Sequence, residues 1–111
     1  MKGIEMIKKL IVNANELIAE ELERANEENP LFASRHEGYA VLLEEVEELQ
    51  QEVDWLTDNV DHMWKLIKKD QKVTYKALRD CIRRLIAEAV QVGAMIDKME
   101  ISERAKNEDI G

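Results

Sequence analysis

Between Tyr39 and Ile67 the residues Tyr39, Leu42, Val46, Leu49, Val53, Leu56, Val60, Met63 and Ile67 recur in steps of three and four, and no other feature limits the fold as tightly. Such a seam belongs to a long helix that faces another helix. Ser34, followed three residues later by Glu37, forms a capping box in front of it. The pattern predicts one helix from about Arg35 to Lys69, in spite of the weak helix formers Thr57, Asp58 and Asn59. At 1.5 Å per residue it is roughly 50 Å long, more than one small core can cover. Part of the seam must face a helix of similar length, in the same chain or in a second copy.

The remainder is also helical. A first helix is expected from about Lys2 to Glu28, with Ile4, Ile7, Leu10 (or Ile11), Ala14, Leu17 (or Ile18) and Leu22 on one stripe, ended by Asn29-Pro30. Asp70-Gln71-Lys72 reads as a short turn between antiparallel helices. A third helix is expected from about Thr74 to Glu100, with its stripe at Leu78, Ile82, Leu85, Ala89, Val92, Ile96 and Met99. Gly93 inside that helix costs about 1 kcal/mol relative to alanine, and close approach of another helix or of a ligand is the usual compensation. The reading is a single all-α domain over residues 1–101, followed by a polar C-terminal tail over 102–111 that is either a further helical turn or disordered.

With 111 residues, 36% of them charged and 5% aromatic, the chain's own core must be thin, and self-association would thicken it. A formal net charge of -8 argues against binding a nucleic-acid backbone, which needs clustered positive charge. A nucleotide can still be handled through a divalent cation. The lone Cys81, set in an apolar helical pattern, reads as a core residue. No apolar run approaches the roughly 20 residues of a membrane span, and Met1 to Leu10 is too mixed in charge for a signal peptide. A cytoplasmic location is expected.

Chemistry is suggested by the acidic run Glu44-Glu45-Val46-Glu47-Glu48 inside the seam. On a helix, Glu45, Glu48 and Glu52 fall within about 60° of one another beside the seam, with Glu44 about 40° beyond Glu48. Glu88 and Gln91 lie one turn apart on the third helix. Two helices can thus offer several oxygen donors to one space, the shell that a hard divalent ion such as Mg²⁺ requires. The plain alternative is a solvated acidic face.

In Glu44-Glu45-Val46-Glu47-Glu48 the chain matches an EExxE element, and Glu88-Ala89-Val90-Gln91 stands in the place of an ExxD element. With the surrounding strings Arg35-His36-Glu37-Gly38-Tyr39-Ala40-Val41-Leu42-Leu43-Glu44-Glu45 and Gln91-Val92-Gly93-Ala94-Met95, it resembles the all-α nucleoside triphosphate pyrophosphohydrolases (MazG-like), in their small, phage-associated branch. The resemblance runs from roughly Ser34 to Met99, and the first helix matches only in type. It implies an oligomeric bundle of long antiparallel helices, working as a dimer or tetramer. It also implies Mg²⁺-dependent cleavage of a (d)NTP to the monophosphate and pyrophosphate. Glu45, Glu48, Glu88 and Gln91 would be the metal ligands, and Glu44 or Glu48 the base that activates water.

Two departures stand out. Gln91 replaces an aspartate, so a neutral amide oxygen stands where a charge is usual. The 39 residues between Glu48 and Glu88 exceed the usual gap and extend the hairpin into what reads as an oligomerisation arm bearing Trp55 and Trp64. Lys98 is the expected phosphate contact. His36 and Trp55 are further substrate-binding candidates, beside the readings of His36 as a surface residue and of the tryptophans as interface anchors. Tyr39 is expected to pack in the core. Two alternatives accompany the enzyme: a catalytically weak nucleotide-binding or regulatory protein, and a purely structural helical hairpin.

Overall fold

The computed structural model describes residues 2–29 and 31–110, apart from the side chains of 108–110. Among these residues the fold is all-α, with α1 (Lys2–Glu28), α2 (Arg35–Lys68) and α3 (Lys76–Ile110) and no strand. None of the three helices is long and apolar enough to cross a membrane. α1 and α2 lie where the sequence pattern puts them, while Pro30, the expected terminator of α1, falls outside the described residues.

Local chemistry accounts for the ends of α2. The Ser34 hydroxyl accepts the Glu37 N–H at 3.1 Å, from an extended backbone (φ -154°, ψ 164°). One of the orphaned donors of the first turn is thereby satisfied. At the other end Asp70 takes φ 56°, its N–H bonds the Ile67 carbonyl at 3.0 Å, and the Gln71 N–H bonds the Leu66 carbonyl at 2.9 Å. This is a Schellman closure with aspartate where glycine is usual.

α2 and α3 form a long antiparallel hairpin, and α1 packs on α3. The molecule measures 67 × 35 × 21 Å, and its core lies towards one end, where Ala25, Phe32, Ala94 and Met95 meet Ile18, Leu22, Val41, Leu42 and Met99. Gly93 permits the approach of α1: a Cβ there would lie 2.6 Å from Ile18 Cδ1. Cys81 is buried, as its pattern suggested.

Three expectations are corrected. Only half of the long seam faces α3. Leu42, Leu49, Leu56 and Met63 are partly buried, whereas Val46, Val53, Val60 and Ile67 are exposed and Tyr39, expected in the core, is 62% exposed. A single neighbouring helix covers a narrower stripe than the sequence carries. Next, α3 does not stop near Glu100 but runs to Ile110, and so includes the segment read as a tail up to that residue. Its added turns are tied to the start of α2. The buried Ser102 hydroxyl accepts the Phe32 N–H at 3.0 Å and donates to the Lys98 carbonyl at 2.7 Å. Arg35 pairs with Glu103, and Lys106 bonds the Ala33 carbonyl. Lastly, Lys98 is not free to meet phosphate. It is 4% exposed, donates to the Asn29 carbonyl at 2.9 Å, and holds its ammonium 4.8 Å from the centre of the Phe32 ring. A buried ammonium needs such partners.

Candidate metal centre

Where the hairpin leaves the core, Glu45 and Glu48 on α2 and Glu88 on α3 bring carboxylate oxygens within 4.8 Å of one another. Apolar neighbours set this position. Leu42 and Leu49 pack towards α3 on either side of Glu45, which therefore points between the helices. Glu48 is exposed at the edge of the group, while Glu45 and Glu88 are partly buried.

Burial pushes the Glu45 carboxyl above its ordinary value, and the charges of Glu48, Glu88, Glu44 and Glu21 add to the rise. Burial likewise raises Glu88, followed by the charge of Glu48, a carboxyl–carboxylate hydrogen bond with it, and the charge of Glu52. Carboxylates this close repel in a poorly solvated space unless a proton or a cation enters.

Gln91 closes the group. Its amide oxygen faces acceptors only, and with the amide turned over the nitrogen donates to Glu45 Oε2 at 3.1 Å and to Glu88 Oε2 at 3.0 Å. The two orientations are chemically distinct. With the nitrogen inward, Gln91 bridges the two carboxyl groups. With the oxygen inward, four side chains converge as an all-oxygen donor set, which a cation or shared protons must hold together.

The other candidates lie around this group at various distances. Glu44 is exposed and outside it, although its charge is felt at Glu45. Trp55, two turns beyond Glu48 and so about 10 Å along the axis, is 45% exposed with the Arg84 guanidinium carbon 5.9 Å from its ring centre. His36 is remote, about 13 Å along α2 from Glu45. It is exposed at a cleft of about 380 Å³ shared with Phe32, Met99 and Lys106.

Two contacts around the group were not read from the sequence. Glu52, grouped there with Glu45 and Glu48, is 6% exposed and holds Arg84 Nε at 3.1 and 3.2 Å, so an ion pair occupies it. The signal was available, since Arg84 stands one turn before Glu88 on the same face. Glu21 of α1, which accepts from Arg24, carries no such signal because no spacing links α1 to α2.

Comparison of the chain with family models, curated proteins and solved structures finds no match.

Proposed function

We propose that the chain is a Mg²⁺-dependent nucleoside triphosphate pyrophosphohydrolase of MazG-like type, cleaving a (d)NTP to (d)NMP and pyrophosphate and acting as a homo-oligomer. The observation that carries this reading is the convergence of Glu45, Glu48 and Glu88 within 4.8 Å, with the Gln91 amide against them. These are the side chains that the EExxE and ExxQ elements singled out, now on facing helices. Their all-oxygen chemistry and mutual repulsion fit a hard divalent ion.

Glu45, Glu48, Glu88 and the Gln91 amide oxygen would hold the ion. When bound, Mg²⁺ supplies neutralisation of phosphate oxygens and a more acidic water. The remaining work belongs to the chain. Glu48, or Glu44 beside it, accepts the proton of the water that attacks the α-phosphorus. A P–O bond forms to that water while the bond to the α,β-bridging oxygen breaks, and pyrophosphate leaves with the electron pair. Arg84, half exposed and fixed by Glu52, offers a cation to the departing phosphates. The exposed Trp55 ring beside it offers a stacking surface to the base.

The test is incubation of the purified chain with Mg²⁺ and each of the eight common NTPs and dNTPs, reading pyrophosphate and monophosphate. Turnover of at least one is expected, and none from any of them sinks the enzymatic reading. A second reading is favoured by the inward-nitrogen orientation of Gln91, which satisfies both carboxyl groups without a cation. It is a weakly catalytic nucleotide-binding or regulatory protein. Calorimetry then gives binding without hydrolysis, and Gln91→Asp raises turnover.

A further inference from the structure

The net charge of -8 is unevenly spread. From Lys65 to Arg79 there are six basic residues and one acid, Asp70, a local charge of +5, so the rest of the chain, with ten basic and 23 acidic residues, carries -13. The fold gathers this segment at the free end of the α2–α3 arm. α2 closes at Lys68 and α3 opens at Lys76, which brings Lys65, Lys68, Lys69, Lys72, Lys76 and Arg79, all exposed, into roughly the last 15 Å of the hairpin. Asp61 and Asp80 border the cluster, and counting from one to the other, six basic residues against three acids, still leaves +3.

Little in the fold accounts for these charges. Lys76 pairs with Asp80 at 2.8 Å, while the other five have no ion-pair partner among the described residues. Lys65 and Lys68 suit the last turn of α2, whose carbonyl end favours cations. Lys72, Lys76 and Arg79 stand at the opposite pole of a helix: α3 begins with no acid in its first turn, where the dipole favours one. Lys76 and Arg79 are also like-charge neighbours three residues apart. A cluster held against a helix dipole and its own repulsion points to an anion outside the chain.

Geometry selects the kind of anion. Lys65 and Lys68 stand about 150° from the line of α2 through Glu45, Glu52 and Met63 that faces α3. On α3, Lys76 and Arg79 stand about 130° and 170° from the line through Cys81 and Glu88 that faces α2. The two sets therefore point outward from opposite sides of the arm, with Lys69 and Lys72 at the end between them. A flat bilayer reaches the end and one side of such an arm, and from Lys69 to Thr74 no large apolar side chain is exposed for insertion. A flexible chain of phosphates can pass round the end and meet both sides. Tyr75, 54% exposed among the cations, offers its ring to an unstacked base. The carboxylate group lies about 25 Å back along α2, beyond the roughly 8–10 Å over which charges act in salt.

We propose that the free end of the α2–α3 arm binds single-stranded nucleic acid through its phosphates, with little regard to base sequence. The net charge that speaks against such a partner belongs to the rest of the chain. This contact needs neither a metal ion nor the carboxylate group, so it stands apart from the hydrolysis proposed above.

The test is fluorescence anisotropy of labelled oligo-dT and oligo-U of about 20 nucleotides, titrated with the full chain in EDTA. A Kd on the order of 10 µM is expected at low salt, weakening about a hundredfold between 50 and 200 mM salt if four or five phosphates are held. Lys68→Gln with Lys72→Gln should weaken binding and lower the slope of log Kd against log salt by about 1.4. Lys8→Gln with Lys9→Gln in α1, the same change in net charge, should alter neither. As a readout that needs no variant, acetylation of the wild type followed by mass spectrometry should find Lys65, Lys68, Lys69, Lys72 and Lys76 protected by the oligonucleotide and Lys8 and Lys9 not. No binding at 100 µM protein and 50 mM salt overturns the proposal, as does equal weakening by the two double variants. Tighter binding to vesicles containing phosphatidylserine, or equally tight binding to poly-glutamate, overturns the choice of partner.

Discussion

Replacing Glu45 with glutamine sets two roles of one side chain against each other. At 4.8 Å, two like charges cost about 3.5 kcal/mol at an effective dielectric constant near 20. Glu48 is exposed and the other two carboxylates reach solvent, so screening reduces this to about 1 kcal/mol per pair. Glu45 takes part in two such pairs. Glu45→Gln should therefore stabilise the metal-free protein by about 1–2 kcal/mol, a rise in Tm of roughly 4–8 °C. Mg²⁺ at a hundredfold excess over its Kd should stabilise the wild type by about 2.7 kcal/mol, and the variant, short of one ligand charge, should lose most of that gain. Thermal melts followed by circular dichroism in EDTA and in Mg²⁺ measure both effects. A fall in the metal-free Tm would refute the repulsion argument. Equal gains from Mg²⁺ in the two proteins would refute the assignment of Glu45 as a ligand, and no gain in either supports the purely structural hairpin.

Gly93→Ala gains about 1 kcal/mol of helix propensity, but its Cβ would stand 2.6 Å and 2.9 Å from Cδ1 and Cγ1 of Ile18. Overpacking of roughly 1–3 kcal/mol should leave the variant the same as or up to about 2 kcal/mol below the wild type in urea unfolding. Asp70→Gly should stabilise by up to about 1 kcal/mol in the same assay, because a left-handed residue at φ 56° suits glycine better than aspartate. Lys98→Met should cost about 1–3 kcal/mol through the unbonded Asn29 carbonyl, with little change in nucleotide affinity by calorimetry. The raised carboxyl groups of Glu45 and Glu88 mean that the folded protein binds more protons than the unfolded chain above the ordinary value of 4.5. Their contribution is fully present below that value and is lost as pH rises through the raised ones. The metal-free Tm should thus fall from pH 5 towards neutrality, less so in Glu45→Gln/Glu88→Gln, while the Tm gain from Mg²⁺ grows with pH over the same window.

Spacing along the chain determined a great deal of this fold. The periods of three and four, the Ser34 cap and the polar turn after Lys69 were enough for three long helices and the antiparallel hairpin. They also put Glu45 with Glu48 on one face of α2 and Glu88 with Gln91 on one face of α3, because residues three and four apart share a face of any helix. Which neighbour covers a face is a different kind of fact. Only the tertiary structure put Arg84 on Glu52, Glu21 near Glu45 and the Lys98 ammonium on the Asn29 carbonyl. It alone divided one apolar seam into a half that meets α3 and a half left bare. Local periodicity fixes the angle at which a side chain leaves its helix; the crossing of whole helices, set by all their contacts at once, decides what that side chain meets.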